Sequence, residues 1–152
     1  MFNKNLFVLC FLLLFLVSPG CSKTDTSEYN YITPEELNTR LNAGEIAAGS
    51  LLMVSSQTED EWASGHLSDA FPSFSRPLTE DAHFAKLDPF LDIAKNADAD
   101  IIIICPRGGS GATRPFDYFL ENGISKERLL ILEGGQEAYN DAFPEDVVTG
   151  QG

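Results

Sequence analysis

Histidine, cysteine, tryptophan and positive charge are all scarce in this chain. Its 152 residues include 2 His, 3 Cys, 2 Met and 1 Trp, and 10 Lys and Arg stand against 23 Asp and Glu for a formal net charge of -13. His66 and His83 with so few thiols do not make a zinc set, because both ligand number and spacing are wrong. His66 reads as a hydrogen-bonded structural residue in a turn, and neither a metal nor a cofactor is expected. The acidic balance repels polyanions, which removes nucleic acid as a partner. No apolar run is long enough to cross a bilayer: Leu6 to Val17 would rise only about 18 Å as a helix against a hydrocarbon core of about 30 Å. There is no internal repeat and no low-complexity block, and the length suits one domain.

The short apolar run follows Lys4 and ends at Ser18-Pro19-Gly20, which is the pattern of an export signal. Gly20 directly before Cys21 resembles the lipobox of bacterial lipoproteins, with Ser18 three positions before the cysteine and Val17 as the displaced aliphatic residue. That resemblance implies removal of residues 1–20, acylation of Cys21 and a membrane anchor facing the periplasm; Ser22 after the cysteine implies the outer membrane. Simple cleavage and secretion is the alternative. Loss of Lys4 with the signal moves the formal charge from -13 to -14. Cys10 leaves with it, so Cys105 is the only free thiol expected in the mature protein and no intramolecular disulfide is available. Residues 21–30 are polar and aperiodic and read as a tether, ahead of a domain over 31–143 and a flexible tail over 144–152.

Within the domain two kinds of segment alternate. Thr33-Pro34-Glu35-Glu36 supplies an N-cap, a proline at the first helical position and acids in the first turn, predicting a helix through about Leu41. Leu51 to Val54 is strand-like, Glu59 to Ala63 a short helix, and Phe84, Leu87, Leu91 and Ala94 fall at helical spacing. Ile101 to Ile104 predicts a strand covered on both faces, as in a parallel sheet. A helix through Phe116 to Leu120 stops at Asn122-Gly123, Leu129 to Leu132 is another strand, and Gly134-Gly135 opens a last helix through Tyr139. The alternation predicts an α/β domain with a mostly parallel sheet and right-handed crossovers.

In such sheets ligands sit beyond the carboxyl ends of strands. After the isoleucine strand comes Cys105-Pro106-Arg107-Gly108-Gly109-Ser110-Gly111-Ala112-Thr113-Arg114, with two arginines and no acid. The glycines permit successive N–H groups to turn inward into an anion-binding cup, and the following helix adds its N-terminal partial charge. A thiol at the base of such a cup is expected to have a depressed pKa and to react as a thiolate. Pro115 is expected to exclude the helix from its own first residues, so that the helix begins near Thr113 after a long loop. The bland alternative makes Cys105 the last core residue of a strand.

Four motifs in order resemble the rhodanese family of single-domain sulfurtransferases, over roughly Tyr31 to Tyr139. Ile32 to Leu37 looks like the opening strand and helix, Glu61 to Ala70 like the segment with an acid and an aromatic before Gly-His, Ile101 to Gly108 like the strand ending in the active-site cysteine, and Leu132 to Tyr139 like the closing Glu-Gly-Gly motif. The resemblance implies a three-layer domain with helices flanking the sheet. It also implies a two-step transfer of sulfane sulfur through a persulfide on Cys105, from a small anionic donor such as thiosulfate to a thiol or cyanide. Backbone amides from Arg107 through Gly108, Gly109, Ser110 and Gly111 would form the cup, and Arg107 would attract the anion.

The chain departs from that pattern in three places. Ser110 stands where many active members carry a second arginine, Pro106 has no N–H, and Ser55-Ser56-Gln57 replaces an Asp-x-Arg that forms a structural ion pair. The alternative reading is therefore a rhodanese-like module that binds a partner protein or senses oxidants, with weak or no turnover. Phosphatase and arsenate-reductase relatives of the fold use a cysteine, five residues and an arginine; the sixth residue after Cys105 is Gly111, so phosphate chemistry is not expected. Neither Ser55 nor Ser56 has the glycines of a nucleophile elbow, and Gly109-Ser110-Gly111 lacks the lysine of a phosphate loop. The residues do not fix an oligomeric state.

Overall fold

The computed structural model describes residues 28–151, so the apolar run, Cys10 and Cys21 lie outside the described residues. In chain order the elements are β1 (Tyr31–Ile32), α1 (Pro34–Asn42), α2 (Glu45–Ala48), β2 (Leu51–Ser55), α3 (Glu59–Ser64), β3 (His66–Leu67), β4 (Phe71–Pro72), α4 (Asp81–Phe84), α5 (Asp88–Lys95), β5 (Asp100–Ile104), α6 (Ser110–Glu121), β6 (Leu129–Leu132), α7 (Gly135–Ala142) and β7 (Val147–Val148). Five strands form a parallel sheet in the order β1-β6-β5-β2-β4. β3 and β7 pair antiparallel in a small second sheet.

The isoleucine run explains the layering. Its four side chains are all 0% exposed, and they alternate between two cores as strand geometry requires. Ile101 and Ile103 pack with Phe90, Leu91 and Ala94 of α5 and Ala112, Phe116 and Phe119 of α6. Ile102 and Ile104 pack with Leu37 of α1, Trp62 of α3 and Tyr139 of α7. Helices therefore cover both faces of the sheet, and none of the four isoleucines of β5 is left to water. Local signals set the helix starts. Thr33 and Glu36 form a reciprocal capping box with Pro34 in the first turn, and Thr58 and Glu61 form a second at α3.

Four expectations are corrected. The apolar stripe from Phe84 to Ala94 is not one helix: α4 gives way to a 3-10 turn over Ala85–Leu87 before α5 begins. Pro89 lacks the N–H that would continue the ladder through that turn. At the N-terminal boundary, Asn30 donates to the Lys126 carbonyl at 2.7 Å and Tyr29 meets Phe116 edge-on, so the ordered domain starts before residue 31. At the other end, residues 144–152 are not a loose tail throughout. Pro144–Asp146 forms a 3-10 turn, and β7 pairs with β3 because Val147 lies opposite Leu67. Phe143 packs back against Tyr139, their ring centroids 5.2 Å apart.

The fourth correction shapes the site. α6 begins at Ser110 rather than near Thr113 and carries Pro115 inside it. A proline there frees the carbonyl four residues back, that of Gly111. The Ser56 hydroxyl takes up that carbonyl, donating to it at 2.7 Å. A side chain just beyond β2 thus replaces the missing helical hydrogen bond and allows the helix to start close to the cysteine. Ser56→Ala is expected to destabilise the domain by about 1–3 kcal/mol, the range for a buried acceptor left unsatisfied. In a Pro115→Ala background the residue 115 N–H restores the helical bond, so the same substitution is expected to have a smaller effect. A double-mutant cycle by urea denaturation checks this; equal effects in both backgrounds would refute the substitution of one bond for the other.

Candidate active site

Cys105 follows β5 directly and is 2% exposed, at the carboxyl end of the central strand. The loop after it turns at Gly108, whose φ is +70 and whose N–H donates to Cys105 Sγ at 3.1 Å. Gly111 keeps space clear above the sulfur: a Cβ there would lie 3.0 Å from Cys105 Cβ and 3.5 Å from Sγ. A second loop grips this one from beneath. The Gln136 N–H donates to the Cys105 carbonyl at 2.8 Å and the Glu137 N–H to the Pro106 carbonyl at 3.0 Å. With the carbonyls held by the first turn of α7, the amides of Arg107, Gly108 and Gly109 face the sulfur. Gly135 is needed for that grip, since its Cβ would stand 2.1 Å from the Cys105 carbonyl oxygen.

A cavity of about 110 Å³ opens over the thiol, lined by Arg76, Cys105, Pro106, Arg107, Gly109, Ser110 and Gly111. The first turn of α6 faces it, so the helix contributes unsatisfied N–H groups at its rim. Larger cavities of about 510 and 530 Å³ lie elsewhere, one between Phe84, Arg114 and Tyr118, the other between Asn38, Met53 and Tyr139. Neither contains a thiol, and Cys105 is the free cysteine of the described residues.

The charge in the cavity comes from an unexpected residue. Arg107 also lines the cavity, but its side chain is 72% exposed and lies 3.5 Å from Glu137. Arg114 donates to the Pro77 and Leu78 carbonyls at 3.2 and 3.1 Å and does not line the cavity. The guanidinium beside the thiol belongs to Arg76, in the loop after β4, and it is ion-paired with Glu61 of α3. That pairing uses one oxygen of Glu61 while the other accepts from the Thr58 N–H of the capping box at 2.9 Å. A basic residue in a loop beyond the carboxyl end of a strand, in a chain with so few, was the available signal for Arg76.

The expected depression of the thiol pKa is also corrected. Burial pushes Cys105 up from the ordinary value of 9.0, and the amides of Arg107, Gly108 and Gly109 and the charge of Arg76 only oppose that rise. The amides of Ser110 and Gly111 are not among the donors to the sulfur, and removal from water outweighs the three that are. Where an Asp-x-Arg was missing, a neutral network stands. Ser55 Oγ donates to Gln57 Oε1 at 2.8 Å, and Gln57 Nε2 donates to the Gly65 carbonyl at 2.9 Å. His66 is buried, its Nδ1 2.8 Å from the Trp62 carbonyl and its ring stacked on Trp62 at 3.7 Å, which is a structural setting within β3. No cluster of His, Cys, Asp and Glu suited to a metal occurs among the described residues.

Residues 33–142 match the family model described as the rhodanese-like domain. The chain belongs to that family. Solved structures agree on the fold of this rhodanese-like domain. An As-Sb reductase from Leishmania major is similar at 17% identity and a TM-score of 0.60, covering 80% of this chain and 86% of that one. A yeast protein tyrosine phosphatase of the rhodanese family is similar at 18% identity and a TM-score of 0.57, over 79% and 90% of the two chains. A thiosulfate sulfurtransferase from Pseudomonas aeruginosa is similar at 14% identity and a TM-score of 0.55, covering 81% of this chain and 20% of that longer one. No curated protein matches in sequence. The rhodanese-like domain hosts sulfurtransferase and phosphatase-like members alike, so chemistry has to be argued from this chain's own loop.

Proposed function

We propose that this rhodanese-like domain is a sulfurtransferase that carries sulfane sulfur on Cys105. One observation carries the reading: the thiol lies on the floor of a closed loop whose Gly108 N–H donates to Sγ at 3.1 Å, beside the Arg76 guanidinium. In the first half-reaction the Cys105 thiolate attacks the outer sulfur of a donor such as thiosulfate. The donor's S–S bond breaks, sulfite leaves with the electron pair, and a new S–S bond forms at Sγ. In the second, a thiol or cyanide attacks the outer sulfur of the persulfide and the pair returns to Sγ. The inward amides stabilise negative charge on the terminal sulfur in both steps. Ser110 adds a hydroxyl at the rim, and Gly109 and Gly111 leave room for the sulfur. Phosphate hydrolysis is not proposed, because Gly111 occupies the position at which that chemistry uses an arginine.

Intact-mass measurement after incubation with thiosulfate tests the proposal. The expected result is a gain of one sulfur atom, lost again on adding cyanide. No adduct from several sulfane donors would refute it. The raised pKa of the buried thiol supports a second reading, a module that binds a partner or responds to oxidants with little turnover. That reading gains if sulfur loads but is not discharged by any thiol.

The proposal places the domain at a membrane through an acylated Cys21, a residue outside the described part of the chain. Cys21→Ala is expected to move the protein from the membrane to the soluble fraction; unchanged retention after fractionation would refute the anchor.

A further inference from the structure

The one guanidinium held close to Cys105 is itself ion-paired, and this restricts what can be delivered to it. Arg76 supplies the guanidinium of the cavity, but Glu61 neutralises it across a direct ion pair. Arg107 is exposed and faces Glu137. Ser110 contributes no charge, and Pro106 contributes no N–H. The cavity lining itself holds Arg76 and Arg107 and no acid, but Arg76 is compensated by Glu61 and Arg107 lies mostly in water, in a chain of net charge -13. A dianion entering it loses its hydration on both charges, meets one cation already compensated, and is repelled by the surrounding acid. A donor with one negative charge or none avoids most of that penalty and can still present a sulfur to the amide cup.

We infer that Glu61, by holding Arg76 in an ion pair beside Cys105, selects a sulfane-sulfur donor of low charge, an organic hydropersulfide, over dianionic thiosulfate. The inference rests on the sulfurtransferase reading and names its substrate class. The step balances without another reactant: the Cys105 thiolate attacks the outer sulfur of R–S–SH, the S–S bond of the donor breaks, R–S⁻ leaves with the electron pair, and the proton stays on the transferred sulfur. The cavity, about 110 Å³, takes the terminal sulfur and the atoms next to it, and a larger carrier group R remains outside. Glu61 and Arg76 act here as positioning and specificity residues; Cys105 alone forms the bond.

The test compares single-turnover sulfur loading of Cys105 from thiosulfate and from 2-hydroxyethyl hydropersulfide, at low salt, in the wild-type chain and two variants. Glu61→Gln keeps a side chain able to serve the capping box and to accept from Arg76, while removing the opposing charge. It is expected to speed loading from thiosulfate about tenfold and to leave the hydropersulfide nearly unchanged. Arg76→Gln is expected to slow thiosulfate about tenfold, with a smaller effect on the hydropersulfide. The ratio of the two donors is the readout, because intrinsic donor reactivity and any general loss of folding cancel in it. A ratio that does not move in Glu61→Gln overturns the inference and leaves the sulfurtransferase reading standing. Loading from neither donor in the wild type overturns both. Alkylation of Cys105 by iodoacetate against iodoacetamide requires no sulfur transfer and is expected to shift toward iodoacetate in Glu61→Gln; no shift counts against charge selection independently.

Discussion

In Cys105→Ser the protein is expected to gain no sulfur from any donor and to retain its fold. Oxygen cannot form a persulfide, and the serine hydroxyl fits the space of the thiol. The expected loss is complete, read by intact mass and by thiocyanate release with cyanide as acceptor. The wild-type thiol should also show its burial in a pH profile. With its pKa raised above the ordinary 9.0, the thiolate fraction, and with it the rate of alkylation by iodoacetamide, rises with pH and continues to rise beyond pH 9. The stability consequence has a definite sign. The unfolded chain releases this proton at lower pH than the folded one, so the stability the neutral thiol contributes is present below pH 9.0 and is lost as pH climbs through the folded value. A rate that levels off near neutrality would show that the amides and Arg76 outweigh burial.

Gly135→Ala is expected to have the largest effect on stability. Gly135 has a φ of +64, and an added Cβ would lie 2.1 Å from the Cys105 carbonyl oxygen and 2.6 Å from the Arg107 and Gly108 nitrogens. Relief of that overlap requires the two loops to separate, which breaks the hydrogen bonds from Gln136 and Glu137 to the carbonyls of residues 105 and 106. The left-handed backbone strain of roughly 1 kcal/mol and two hydrogen bonds of about 1 kcal/mol each give a loss of at least about 3 kcal/mol. In a domain of this size that corresponds to a fall in Tm of about 10 °C. Gly123→Ala is the matched comparison: its φ is +95 with nothing near the missing Cβ, so only the backbone strain of about 1 kcal/mol applies. Equal effects of the two substitutions, measured by thermal unfolding, would show that the grip of one loop on the other does not matter.

Features legible along the chain are those that need only near neighbours. The capping residues Thr33 and Glu36 satisfy their own backbone amides, so α1 starts where the sequence says it does. The isoleucine run alternates sides over a single residue step, which identifies β5 as central before any partner is known. Cys105 and the glycines beyond it lie within a few residues of one another, so the loop itself could be read directly. The same near-neighbour reasoning misplaced the start of α6. Pro115 does break a helical hydrogen bond, but Ser56, just beyond β2, makes a new one to the freed carbonyl.

The order of the main strands and helices and the place of the lone thiol at the end of the central strand were thus legible in sequence alone, because period, capping and loop chemistry act over a few residues. Which guanidinium stands beside the sulfur, which carboxylate holds it there, and how the thiol titrates were decided only by tertiary structure. Arg76 and Glu61 come from segments that meet Cys105 only when β2, β4 and β5 lie side by side. Burial, the force that raises the thiol pKa, is a property of the packed chain as a whole, and no window of residues contains it.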